Sequence, residues 1–156
     1  MKWNLCIAVP LILGALSQSA PAMTLREYEL GWVRYYAQRD NVPVTLVEAI
    51  IVVESGGNPY AVSPKGAAGV MQLMPETAYE FRVANRFLIQ ENVRAGVAYL
   101  ALLIRKFHGD LRLAVASYYA GEKLIESEGL SCSSPAVYGY VSKVAAVYRS
   151  LRAKRR

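Results

Sequence analysis

The feature that most constrains this chain is the run Ala49-Ile50-Ile51-Val52-Val53, closed by Glu54 and followed at once by Ser55-Gly56-Gly57. An unbroken apolar run of this kind must be buried. Glycine directly after such a run is a common helix stop, so Glu54 falls on the last turn of a core helix. A carboxyl group there is held against its own ionisation. The helix end disfavours the carboxylate by roughly 0.3–1 kcal/mol, less than about one pKa unit, so apolar neighbours must supply most of any larger shift. Such conditions suit a general acid that keeps its proton near neutral pH.

The remaining pattern predicts helices nearly throughout. Thr24-Leu25-Arg26-Glu27 matches a capping box and opens a helix to about Arg39, with Leu25, Tyr28, Trp32, Tyr35 and Tyr36 available for its apolar face. Thr45 and Glu48 offer a second capping box for the helix that ends at Glu54. Asn58-Pro59 and Ser63-Pro64-Lys65-Gly66 are turn chemistry, so residues 55–73 are expected to form an irregular lobe with short strands over the glutamate. Pro75 suits the first turn of a short helix to about Ala84. Ile89 to Phe107 reads as the longest helix, and the arginines flanking its apolar centre mark it as a core element and not a membrane span. Gly109 stops it, Asp110 caps a helix over Leu111–Ala120, and a last helix follows Ser134-Pro135 to about Leu151. The fold class expected is therefore mainly α, a single helical domain around Glu54 with a small lobe forming one wall of a groove.

Length and composition bound the rest. A chain of 156 residues suits one domain. Lys2, the apolar stretch from Leu5 to Leu16 and the small residues of Ser17-Gln18-Ser19-Ala20-Pro21-Ala22 read as a secretory signal over residues 1–22, leaving a domain at 23–156. The stretch is well short of the roughly 20 residues that span a bilayer, so no stable membrane anchor is expected after cleavage. Cys6 leaves with the signal, and Cys132 is then unpaired. One cysteine and one histidine give zinc no ligand set, and His108, beside Gly109 at a helix end, has no nucleophile near it in sequence. The formal charge of +6 favours an anionic partner without choosing among them, and export together with the lack of any recognition motif opposes nucleic acid.

A glycosidase of the common kind needs two carboxylates. Beyond the signal the only aspartates, Asp40 and Asp110, sit at turns where capping explains them, and the other glutamates occupy helix starts or solvated faces. A lone acid is sufficient if the substrate supplies its own nucleophile.

Four blocks in order resemble the soluble lytic transglycosylase family, lysozyme-like enzymes that cut the glycan strands of bacterial peptidoglycan. They are Glu54-Ser55, Gly69-Val70-Met71-Gln72-Leu73-Met74-Pro75, the stretch Glu91–Leu100, and Ala116-Ser117-Tyr118-Tyr119-Ala120-Gly121, with Tyr140-Val141 beyond them. The resemblance implies a lysozyme-like fold, no cofactor and no metal. It implies that Glu54 is the catalytic acid and base, and that Ser55, Ser63, Gln72, Met74, Tyr118, Tyr119 and Tyr140 line the substrate groove. In this family the glutamate protonates the β-1,4 oxygen between N-acetylmuramic acid and N-acetylglucosamine, then takes the proton of the muramyl C6 hydroxyl, which closes a 1,6-anhydro ring without water. The chain departs from the family at Tyr119, where asparagine is usual, and at Ala136-Val137, where Glu-Thr is frequent. Small exported members resemble those that accompany conjugation, secretion or pilus machines, which implies a periplasmic monomer acting on glycan strands, with such a machine as a possible partner. Two alternatives remain open from sequence: a lysozyme-type hydrolase using the same acid, and a peptidoglycan-binding adaptor with little turnover.

Overall fold

The computed structural model describes residues 25–130 and 134–155, so the expected signal segment, Thr24 and Cys132 lie outside the described residues. Seven helices follow one another among the described residues: α1 Leu25–Arg39, α2 Val44–Glu54, α3 Pro75–Glu80, α4 Ile89–Lys106, α5 Leu111–Ala120, α6 Glu122–Glu128 and α7 Pro135–Ala153. The mainly α expectation holds. The lobe between α2 and α3 contains no extended strand, only antiparallel bridges pairing Val62 with Ala68 and Ala68 with Leu73.

α2 is buried over its centre, although Val52, within the apolar run expected to be buried, is 50% exposed. Val47, Ala49 and Ile50 are fully enclosed, with Leu46 and Ile51 nearly so. Around them pack Val33 and Tyr36 of α1, Val93, Val97 and Leu100 of α4, Val115 of α5, and Tyr140 and Val144 of α7. Each fully buried aliphatic side chain contributes about 1.5–3 kcal/mol, so this cluster fixes where α2, and hence Glu54, sits. α2 packs most extensively against α7, and α4 holds the other side of the core by packing on α1 and α5.

Four expectations are revised. The Thr45–Glu48 capping box does not form: Pro43 occupies the N-cap position without a side-chain hydrogen bond. Thr45 and Glu48 instead receive Arg155, whose guanidinium donates to Thr45 Oγ1 at 3.1 Å and to the two Glu48 carboxylate oxygens at 2.6 and 2.8 Å. α3 stops at Glu80 and not near Ala84, because Arg82 turns into the left-handed region (φ 52°), where it and Val83 close onto the carbonyls of Tyr79 and Ala78. α6 was not expected, since Gly121 ends α5 at φ 90° and a helix starts again at the next residue. On α1, Trp32 and Tyr36 stack with ring centres 5.8 Å apart and join the core, whereas Tyr28 and Tyr35 remain exposed. Asp110 caps α5 as expected, and α7, expected after Ser134-Pro135, starts at Pro135 with Ser134 as its cap.

Candidate active site

Glu54 is the last residue of α2, and the chain then leaves the helix through Gly56 and Gly57, both at positive φ. Burial raises the pKa of its carboxyl above the ordinary 4.5, and a hydrogen bond from Tyr140 partly offsets the rise. That bond is short: Tyr140 Oη donates to Glu54 Oε1 at 2.6 Å. With Oε1 so engaged, Oε2 is the oxygen free to carry a transferable proton. Tyr140 itself is pushed far above its usual range by burial, with the neighbouring Glu54 adding to it, so it stays a donor at any physiological pH.

The ring of Tyr119 lies almost parallel to that of Tyr140, with centres 4.5 Å apart and planes 18° apart. Tyr119 covers the Tyr140 ring and remains 47% exposed itself. Glu54, Tyr119 and Tyr140 border one cavity of about 470 Å³, together with Ala136, Gly139 and Lys143 of α7. Tyr118, the next residue along α5, turns the other way and donates from Oη to Met71 O at 2.9 Å. Its pKa is raised chiefly by burial and then by Glu54, which puts the two side chains within electrostatic reach.

The irregular lobe is held by side chains standing in for strand ladders. Asn92 of α4, wholly buried, donates to Ala68 O at 2.9 Å and Arg86 O at 2.8 Å and accepts from the Met71 N–H at 2.8 Å, so that every polar group of its amide is used. Arg86 donates to the Gly66 and Leu73 carbonyls at 2.6 and 2.9 Å. Gly69, at φ 83°, passes so close to Asn92 and to the Arg86 carbonyl that a Cβ would overlap both. Gly96 serves α4 in the same way: Met71 fills the space a side chain there would need.

Within this lobe the expected groove residues divide by role. Ser55 donates its hydroxyl to Val70 O at 2.7 Å and accepts from the Gly57 N–H at 3.1 Å, which ties the end of α2 to the lobe and leaves the hydroxyl proton committed inside the protein. Ser63 accepts from the Ala67 N–H at 3.0 Å, within a turn that brings Ala67 O onto the Ser63 N–H at 2.9 Å. Gln72, at φ 48°, donates its amide to the carbonyls of Ala61 and Gly69 at 3.0 and 2.9 Å, leaving its side-chain oxygen without a donor among the described residues. The partner demanded by an amide in an apolar run is thus the lobe backbone. Met74, half-exposed, immediately precedes α3. The structure therefore unites Glu54, Tyr119 and Tyr140 around one cavity, while Ser55, Gln72 and Tyr118 attach to the lobe that carries Ser63 and Met74. Sequence reading missed Lys143, which a basic helix face gave no reason to single out. It also missed the part played by Asn92, although a buried amide in an apolar helix was itself a signal.

Comparison with known proteins places this arrangement. A membrane-bound lytic murein transglycosylase F from Desulfosudis oleivorans is 40% identical over 91 residues, covering 54% of this chain and 20% of that protein. A transglycosylase of Enterobacteria phage PRD1 is 37% identical over 81 residues, covering 52% of this chain and 30% of the phage protein. The chain thus spans a fifth to less than a third of the length of these relatives. Among solved structures, an inactive mutant of the lytic transglycosylase Slt from Pseudomonas aeruginosa superposes with a TM-score of 0.65 at 26% identity, over 76% of this chain and 23% of that one. A family model for the transglycosylase SLT domain matches residues 32–131, from α1 through the Glu54 turn and the lobe to the end of α6, and the chain belongs to that family.

Proposed function

We propose that this protein is a peptidoglycan lytic transglycosylase that cleaves the β-1,4 bond between N-acetylmuramic acid and N-acetylglucosamine and leaves 1,6-anhydromuramyl ends. One observation carries the reading: among the described residues the cavity holds a single carboxyl group, Glu54, whose proton affinity burial has raised and which Tyr140 holds by a hydrogen bond. A protonated carboxyl of this kind can give its proton to the glycosidic oxygen as the C1–O4 bond breaks. The resulting carboxylate then accepts the proton of the muramyl C6 hydroxyl while O6 bonds to C1. Atoms balance without water, and the same residue is ready for the next cycle. Tyr140 follows both states, because its hydroxyl donates to a carboxylate and to the carbonyl oxygen of the acid alike. Tyr119 offers a flat apolar face to a sugar ring, and Ser63, Gln72 and Met74 supply polar and apolar contacts on the opposite lobe. The Ser63 proton and the Gln72 oxygen, unused among the described residues, are the groups available to sugar hydroxyls and acetamido groups. Ser55 and Tyr118 act on this reading by fixing the lobe against the Glu54 turn.

The same reading carries export to the periplasm through a signal at residues 1–22, action as a monomer, and service to a conjugation, secretion or pilus machine that needs a local opening in the wall. The name of the lytic murein transglycosylase it resembles supports the substrate class. Mass spectrometry of digested sacculi decides the chemistry. Soluble muropeptides with 1,6-anhydromuramyl ends are expected; reducing muramyl ends would make the protein a hydrolase, and binding without release would make it an adaptor.

A further inference from the structure

α7 presents Ala136, Gly139, Tyr140 and Lys143 to the Glu54 cavity, at the three- and four-residue spacing of a single helical face. The two small residues leave room beside Tyr140, and the floor then ends at a lysine. Lys143 is exposed and makes no ion pair or hydrogen bond among the described residues. Among the described residues the cavity has no carboxyl other than Glu54, so with Glu54 protonated Lys143 is the one formal charge on their part of its lining.

We infer that Lys143 forms an anionic-group subsite beside the acid and receives a carboxylate carried by the muramyl unit being cut. The inference rests on the proposed reading of the substrate. A muramyl ring whose C1 faces Glu54 bears its lactyl substituent on C3, two bonds away along the ring, so the substituent falls inside the same cavity or at its rim. That substituent ends in a carboxylate when no peptide is attached and continues into a peptide with its own carboxylates otherwise. Both sources present the same chemistry to an ammonium group, a charge-assisted hydrogen bond. Tyr119 lies against the α7 face, stacked on Tyr140, and Lys143 lines the same cavity one helical turn beyond Tyr140.

The test uses purified protein in which Glu54→Gln prevents turnover, combined with Lys143, Lys143→Arg or Lys143→Met. Binding is measured to three preparations of defined glycan strands: peptide-bearing, peptide-free with lactyl carboxylates, and peptide-free with those carboxylates methyl-esterified. With lysine or arginine at 143, carboxylate strands are expected to bind about 5- to 20-fold more tightly than esterified ones, a preference that salt weakens. Lys143→Met should abolish the preference without altering affinity for the esterified strands. Preference for peptide-free over peptide-bearing strands assigns the lactyl carboxylate; the reverse order assigns the peptide. A preference that survives Lys143→Met, or none in the lysine form, overturns the subsite. Turnover of the same strands by the protein with Glu54 intact reports separately on the enzymatic reading, so the two can fail independently.

Discussion

Tyr140 is the residue on which the chemistry of Glu54 turns, because its hydroxyl stabilises the carboxylate form at 2.6 Å while burial opposes it. In Tyr140→Phe only the opposing effect remains, so the proton affinity of Glu54 rises further. The limb of the pH–rate profile on which activity falls with increasing pH should move upward by about half to one unit, since a hydrogen bond to a charged group exceeds one to a neutral group by roughly 1 kcal/mol. An unmoved limb would mean that Tyr140 does not bond the carboxylate proposed as the acid. Gly69→Ala is expected to be more damaging to the fold than to the acid itself. Its Cβ would displace the Asn92 amide and demands a conformation that alanine resists, so a loss of about 2 kcal/mol or more is expected in chemical denaturation.

At the scale of elements, α2 is tied twice to the C-terminal part of the chain, by Tyr140 of α7 at Glu54 and by Arg155, two residues beyond α7, at Glu48. Glu48 is buried and Arg155 only partly so, which makes the pair unequal. Arg155→Met leaves a buried carboxylate unpaired and should cost up to about 3 kcal/mol, whereas adding Glu48→Gln removes that charge and should restore much of the loss. Thermal midpoints of the two single variants and the double variant check this. A double variant no more stable than Arg155→Met would show that Glu48 is not held by charge pairing. These elements also show where sequence reading stopped. Helix starts that depend on nearby residues were legible, as Asp110 and Ser134 illustrate. The Thr45–Glu48 capping box failed because α2 starts earlier, with Pro43 at the N-cap, and the two side chains instead bind Arg155, 107 residues away from Glu48, a partner that no local pattern reports. α6 escaped for a related reason: a glycine that ends one helix gives no sign that another starts at the next residue.

For the whole molecule, the helical class and the position of Glu54 were legible because an apolar run with a glycine stop admits few alternatives. The groove was legible only as a set of residues. Which of them meet depends on pairings such as Tyr140 with Glu54, 86 residues apart, and Asn92 with Met71, 21 residues apart, which only the packed fold supplies. Burial that favours the protonated form of Glu54 also ties chemistry to stability. Its pKa is raised above 4.5, so its contribution to folding is fully present below about pH 4.5 and is lost as pH rises through the folded value. Glu54→Gln keeps the shape, removes the proton and is free of this loss. The decisive measurement is muropeptide release from sacculi by parent and Glu54→Gln, with thermal midpoints of both at pH 4.5 and pH 8. Release should fall by about 10²-fold or more, and the midpoint of the parent should decline relative to that of the variant as pH increases. Release above about a tenth of the parent's, from a variant that folds, would contradict the assignment of Glu54 as the acid.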